Sequence, residues 1–394
     1  MRTYEANEWG GAKLAPLSLY VHIPFCAEKC HYCDFLSFSK QSDMAKERYL
    51  DALCMEIDAI EDRRSLDTIF IGGGTPSVLS KAQMNRLFQC IRKKFPFSEN
   101  AEMTIEANPG TLNPDRLALY RQLGISRISF GVQAFDDALL QGIGRIHTAE
   151  KAQIGIVEAQ EAGFENINID LMIGLPNQSI KQVQDSIQCA VDLDVTHISV
   201  YALILEEETP LYHLVQSGAV QLPHEDEVAN MLDIAEDLLE LHGFEQYELS
   251  NFARFGFECR HNCAYWRLDD YIGVGLGSAG CIRKGDVRIR TQNTEDMDDY
   301  IQRMQKGASV HRSCESIARK EQVFERIMLG LRMNEGISWK EMQWRFGCNV
   351  SVEYREAIEK NQRAGLLQCD AYGMRLTRQG RRLQNRVLLD FMEA

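Results

Sequence analysis

Six short runs rich in β-branched residues, at 17–23, 68–72, 103–107, 127–132, 167–172 and 197–203, alternate with helical segments across the first 240 residues. Ile180, Val183, Ile187, Ala190 and Val191 form one helical stripe. Val228, Met231, Leu232, Ala235, Leu238 and Leu239 form another, both at the period of an amphipathic helix. Gly163 and Gly243 stand where helices over 151–162 and 225–242 would stop. Repeated strand–helix alternation predicts an α/β fold with a parallel sheet, because parallel neighbours need a crossover and the crossover is right-handed. The pattern leaves two architectures, an open sheet or a partial barrel.

Either architecture puts a ligand at the carboxyl ends of the strands, and the unusual polar residues fall there. Cys26, Cys30 and Cys33 lie in the loop after the first run. Thiolate selects iron–sulfur clusters, zinc or cuprous copper. Three sulfurs on a four-iron cluster leave one iron without a protein ligand, whereas closed structural sites use four. The alternative is zinc completed by His22, His31 or Asp34. Gly72, Gly73, Gly74, Thr75 and Pro76 come after the second run; such a triplet is a tight turn or a place where backbone approaches a ligand closely. Glu106 ends the third run, where a strand-end carboxylate often pairs with a lysine, and Gln133 lies just past the fourth. Asp170 sits inside an apolar run, and carboxylates are rarely buried without a partner. Gln133 and Arg145 carry little meaning singly.

The 394 residues allow two or three domains and a large core. Twelve cysteines, scattered except for one tight trio, predict a reducing cytosol and no disulfide framework. The tail 1–16 has no apolar segment of the signal-peptide kind, and no later run reaches the roughly 18 apolar residues of a membrane span. The expectation is a soluble cytoplasmic chain with at most peripheral membrane contact. A net charge of −14 argues against a nucleic-acid partner held through phosphates. The charge is uneven: from Ser309 onward there are 15 Lys and Arg against 11 Asp and Glu, which points to a separate C-terminal unit.

Between Gly243 and Gly307 the helical period disappears. Gly275, Gly277 and Gly280 satisfy Gly-x-Gly-x-x-Gly, but the run Val287 to Thr291 reads as a strand where a helix would be needed. A dinucleotide loop is therefore rejected in favour of close backbone packing. His261-Asn262-x-x-Tyr265-Trp266 has two bland readings, a core aromatic pair with a satisfied histidine, or zinc on Cys259, His261 and Cys263. From Ser309 the chain is expected to be helical, with a hairpin at 366–376, as in a winged helix. Arg378, Arg381, Arg382 and Arg386 mark either an anionic partner or a solvated basic face over inward-packed Leu383, Leu388, Leu389 and Phe391; the second is preferred. This unit is expected to cover the substrate side of the barrel.

Cys-x3-Cys-x-Tyr-Cys after a strand, with Gly-Gly-Gly-Thr-Pro about forty residues on, resembles the radical S-adenosylmethionine (SAM) superfamily. Within it, the chain is most similar to the group of oxygen-independent coproporphyrinogen oxidases and HemW-type haem chaperones, from about Leu17 to the C-terminus. The resemblance implies a (β/α)6 partial barrel over 17–242. It also implies an extension over 243–308 and a smaller, mainly helical, winged-helix-like domain over 309–394. It places a [4Fe-4S] cluster on Cys26, Cys30 and Cys33. SAM is placed at Tyr20, Tyr32, Gly73, Gly74, Thr75, Glu106, Gln133, Arg145 and Asp170, with the glycine loop at the amino group and Tyr32 against the adenine. In that superfamily the cluster cleaves SAM reductively to methionine and a deoxyadenosyl radical. His-Asn-x-x-Tyr-Trp is associated with haem in the HemW-like group, which marks His261, Asn262, Tyr265 and Trp266. Two departures weigh against an active coproporphyrinogen III oxidase: Cys33 is followed by Asp34-Phe35 where those enzymes have Gly-Cys, and the N-terminal extension is short. The resemblance therefore implies a haem chaperone first and oxidative decarboxylation of coproporphyrinogen III second, with no catalytic residue assigned and enzymatic activity left open. Implied partners are haem-accepting proteins and an electron donor, in a monomer or homodimer.

Overall fold

The computed structural model describes residues 17–392. Six strands, β1 (Leu17–Ile23), β2 (Leu66–Gly73), β3 (Phe97–Ala107), β4 (Arg127–Gln133), β5 (Asn166–Ile173) and β6 (His197–Ala202), lie side by side in chain order, all parallel. The connecting helices are α1 (Asp43–Ala59), α2 (Lys81–Lys94), α3 (Pro114–Gln122), α4 (Ala149–Glu161) and α5 (Ile180–Asp192), and α6 (Glu225–Leu241) comes after β6. Ser80 with Gln83 and Ser179 with Gln182 form capping boxes that start α2 and α5. The α/β expectation holds, and the sheet is larger than its six-stranded core. Asp270–Val274 pairs parallel with β1, followed by antiparallel Ala279–Lys284, Val287–Asn293 and His311–Ile317. Asn251–Ala253 and Glu245–Gln246 extend the other edge from β6.

The period-2 alternation of strand side chains separates two interiors. Leu17, Leu19, Val21 and Ile23 of β1 belong to the core under the helices, as do Ile69 and Ile71 of β2 and Ile167 and Ile169 of β5. The alternate positions carry polar groups that meet across strands: Thr68 donates to Ser18, and Asn168 donates to Ser129. Helix α7 (Arg260–Trp266) closes the amino end, where Glu102 accepts the backbone N–H groups of Arg260 and His261 at 3.0 and 3.1 Å.

Glu56 locks the extension to α1. Its buried carboxylate accepts from Tyr300 Oη and Asn293 Nδ2, both at 2.6 Å, and from Gly275 N at 2.8 Å. Gly275 has φ +97°, and a Cβ there would lie 2.5 Å from the Tyr49 hydroxyl and 2.7 Å from the His22 carbonyl. The glycine pattern is thus a packing device leading into a strand, as expected.

The C-terminal unit has its own hydrophobic cluster, including Val323, Ile327, Met342, Phe346, Val387 and Phe391. Helix α8 (Arg319–Gly330), strand Ile337–Ser338, helices Trp339–Phe346 and Arg355–Arg363, and hairpin Leu367–Cys369 with Gly373–Leu376 complete a winged-helix arrangement around a three-stranded sheet.

Four expectations fail here. His311–Ile317 is strand, not helix, because it pairs with Val287–Asn293. The unit does not cover the carboxyl-end side. Arg345 donates to the carbonyls of Arg267 and Leu268, both at 2.7 Å, beside the amino ends of the strands. The basic face is solvated but not free: Arg378, Arg381 and Arg382 all engage Glu236 of α6, a carboxylate with 2% side-chain exposure, and exposed Arg386 pairs with Asp390. Leu383 and Leu389 are exposed, while Phe391 is buried. Finally, Cys54 of α1 and Cys90 of α2 are joined as a disulfide, with Cα atoms 5.7 Å apart. Their 36-residue separation hid that proximity, which comes only from packing two helices together. No helix among the described residues is long and apolar enough to cross a membrane.

Candidate functional site

A cavity of about 340 Å³ opens at the carboxyl ends of β1–β6, within the size range of small-molecule sites. Of the twelve residues expected at cluster and SAM, all but Tyr20 line it. The cysteine loop is held from several sides. Phe25–Cys26 pairs with Phe38–Ser39, His31 N donates to the Ile143 carbonyl at 3.0 Å, and Leu211 N donates to the His31 carbonyl at 2.9 Å. Thr75 Oγ1 approaches Cys26 Sγ at 3.5 Å and Arg145 approaches Cys30 Sγ at 3.3 Å. Asn108 Oδ1 at 2.9 Å and the Gly131 carbonyl fix that guanidinium. No three His, Cys, Asp or Glu side chains among the described residues converge on a single-ion site. Three thiols facing one cavity are a donor set that suits a cubane, whose protein sulfurs sit on different irons.

The glycine loop is shaped by what lies behind it. Gly73 has φ +110°, and a Cβ there would meet the His22 ring at 2.5 Å. That ring is held by Tyr20 Oη at Nδ1 (3.0 Å) and the Leu36 carbonyl at Nε2 (2.9 Å). Tyr20 therefore supports the loop from beneath rather than lining the cavity. Gly73 N donates to Glu106 Oε2 at 3.0 Å. Burial, with Asp170 nearby, pushes the Glu106 carboxyl up to about 7. Burial also raises Asp170, against hydrogen bonds from Asn168 and Ser199 and the charges of Arg127 and Arg145. These two carboxylates at one wall favour a cationic or hydroxyl-bearing occupant, which would relieve their desolvation.

Gln133 has φ +73° at the point where the β4–β5 register shifts. That left-handed geometry costs a non-glycine residue of order 1 kcal/mol and clusters at functional sites. Tyr201 Oη donates to its Oε1 at 3.1 Å. Sequence reasoning missed Asn108, Ser129, Tyr201, Ile204 and Glu206 in the lining. Asn108 and Ser129 were within reach, since each lies an even number of residues from a named position on its strand or the turn beyond it. Ile204 and Glu206 lie past β6 in an irregular segment that carries no pattern.

His261, Asn262, Tyr265 and Trp266 are not at this cavity. His261 is 1% exposed, with Nδ1 2.7 Å from Thr68 Oγ1 and Nε2 2.7 Å from Tyr265 Oη. Burial, with the Arg127 charge nearby, lowers its basicity to about 3. Trp266 is half-buried beneath Arg332, whose guanidinium carbon lies 4.4 Å from the ring centroid. In this arrangement both imidazole nitrogens are occupied. Cys259, His261 and Cys263 form no ion-holding group among the described residues.

Comparison with known proteins agrees with this geometry. The Radical SAM superfamily profile matches residues 20–190, and the HemN C-terminal domain profile matches 317–383. Heme chaperone HemW of Bacillus subtilis strain 168 is 39% identical over 95% of this chain and 99% of its own length. Its namesake from Escherichia coli K12 is 40% identical over 74% and 77%. The structure of coproporphyrinogen III oxidase (HemN) from Escherichia coli, described as a radical SAM enzyme, matches with TM-score 0.82 at 26% identity, covering 96% of this chain and 90% of that one. Loop, barrel and relatives together make this chain a member of the HemW family within the radical SAM superfamily.

Proposed function

We propose that the chain binds haem and passes it to acceptor proteins in the cytoplasm, with a [4Fe-4S] cluster on Cys26, Cys30 and Cys33 and SAM in the adjoining cavity. The observation that carries this reading is the near full-length similarity to heme chaperone HemW, joined to a thiol-lined cavity that fits the cofactors. When bound, the cluster would supply an iron with an open position and a reducing electron. The chain's own residues do the rest: Glu106 and Asp170 accept hydrogen bonds from the occupant, the Gly73–Gly74 turn lets backbone come close, and Arg145 holds positive charge beside Cys30.

Haem is assigned to the His261-Asn262-x-x-Tyr265-Trp266 helix, with Tyr265 and Trp266 as aromatic faces for a porphyrin. Ligation through His261 Nε2 requires the ring to exchange Tyr265 Oη for iron. Decarboxylation of coproporphyrinogen III is the second reading, favoured by the HemN fold match and opposed by Asp34 and Phe35 after Cys33. One anaerobically reconstituted sample decides between them, through haem titration of wild type and His261→Ala and a coproporphyrinogen turnover assay with SAM and reductant. Weakened haem binding in the variant without turnover is expected. Unchanged haem spectra in His261→Ala overturn the haem site, and formation of protoporphyrinogen reverses the two readings.

A further inference from the structure

Four hydrogen bonds run through the barrel interior from Cys259, the residue that caps α7, to the cavity wall, and all point one way. The Cys259 backbone N–H, which can only donate, reaches the Tyr247 hydroxyl at 3.2 Å. Tyr247 Oη also lies 2.8 Å from His197 Nε2 and donates to it in the polarity set from the other end of the chain, where the Asn168 amide nitrogen donates to Asp170 and its oxygen faces His197 Nδ1. His197 is fully buried near the charge of Arg127, and both hold the ring neutral. A neutral imidazole that accepts at Nε2 carries its proton on Nδ1, which lies 2.5 Å from Asn168 Oδ1. That oxygen also accepts from Ser199 Oγ at 3.1 Å. The Asn168 amide nitrogen therefore faces the other way, toward Asp170 Oδ1 and Ser129 Oγ, both at 2.7 Å. Rotating the amide would set its oxygen against the Asp170 carboxylate and its nitrogen against the His197 N–H, so no member reverses alone.

We propose that Tyr247, His197 and Asn168 are positioning residues that hold Asp170 toward the cavity as a pure acceptor for a hydroxyl-bearing ligand, and that they tie occupancy of the cavity to the start of helix α7. The inference rests on the reading of the cavity as a SAM site, and it links that site to the helix assigned to haem. A fixed acceptor discriminates for a ligand hydroxyl, because an analogue lacking it leaves a buried carboxylate one hydrogen bond short.

Selective ¹⁵N-histidine NMR of the reconstituted full-length chain tests the chain of bonds, with His197→Gln used to assign the resonance. The wild-type protein is expected to show His197 protonated at Nδ1, and Tyr247→Phe is expected to mix the tautomers. SAM affinity should fall about tenfold in Tyr247→Phe. SAM should slow amide exchange at residues 259–262 in wild type and not in Tyr247→Phe. A wild-type His197 protonated at Nε2 overturns the proposal, even where Tyr247→Phe fails to fold. So does a Tyr247→Phe protein with unchanged tautomer and SAM affinity. A wild-type protein that binds no SAM overturns the cavity reading instead, while the tautomer still decides the hydrogen-bond chain.

Discussion

Glu106→Gln separates charge from shape at the cavity wall. The amide keeps an oxygen for the Gly73 N–H and removes only the capacity to ionise. In the ligand-free protein, burial and Asp170 hold the Glu106 carboxyl at about 7 rather than 4.5. A gap of that size disfavours the anion by about 3 kcal/mol, and cavity water reduces the effective figure to about 1–2 kcal/mol. The folded state binds the proton more tightly than the unfolded chain. The corresponding stability is thus complete below about 4.5 and lost as pH rises through about 7. Urea titrations of cluster-free protein between pH 5 and pH 8 should show wild type losing about 1–2 kcal/mol more than Glu106→Gln. Calorimetric titration with SAM at pH 8 should show the opposite cost, an affinity about 10- to 100-fold lower in the variant, since the anion is what a cationic amino group would meet. A variant with the wild-type pH slope and wild-type SAM affinity would refute the placement of Glu106 as the cavity's buried acceptor.

The three thiols and the two locking carboxylates give further tests. Cys30→Ala should abolish iron and sulfide incorporation on anaerobic reconstitution, and retention of a full cluster would remove the metal assignment. Glu56→Ala orphans the donors Tyr300 Oη, Asn293 Nδ2 and Gly275 N and should cost about 3 kcal/mol in urea unfolding; a loss below about 0.5 kcal/mol contradicts its role as a lock. Glu236→Ala strands the half-buried guanidinium of Arg381 and removes one of two carboxylates from Arg382, which keeps Asp233, and should cost about 1–3 kcal/mol, read as faster tryptic cleavage near residues 378–382. Cleavage at the wild-type rate would show that the C-terminal unit docks by other contacts.

Strand–helix alternation was enough to predict a parallel sheet, while the choice of a partial barrel, with β1 to β6 in chain order, rested on the resemblance. A crossover topology leaves few alternatives, and each strand wrote its buried face in every second residue. It also put Cys26, Glu106, Gln133 and Asp170 at or near one rim, because chain direction and strand end are both readable. Pairings between segments distant in the sequence were not legible. Cys54 meets Cys90 only when α1 packs on α2, and Arg378, Arg381 and Arg382 looked like a free basic face because Glu236 lies some 140 residues away. His261 reads as an available ligand in its motif, yet Thr68 and Tyr265 take both nitrogens once α7 closes the amino end.

By itself the sequence determined the local periods, the thiol spacing and the sense of each strand, since those depend on neighbours within a few residues. Only the tertiary structure decided which buried polar groups would share protons, where the winged helix would dock, and that Tyr20 would stand behind the glycine loop. Those outcomes depend on which groups are excluded from water together, and burial is a property of the assembled chain.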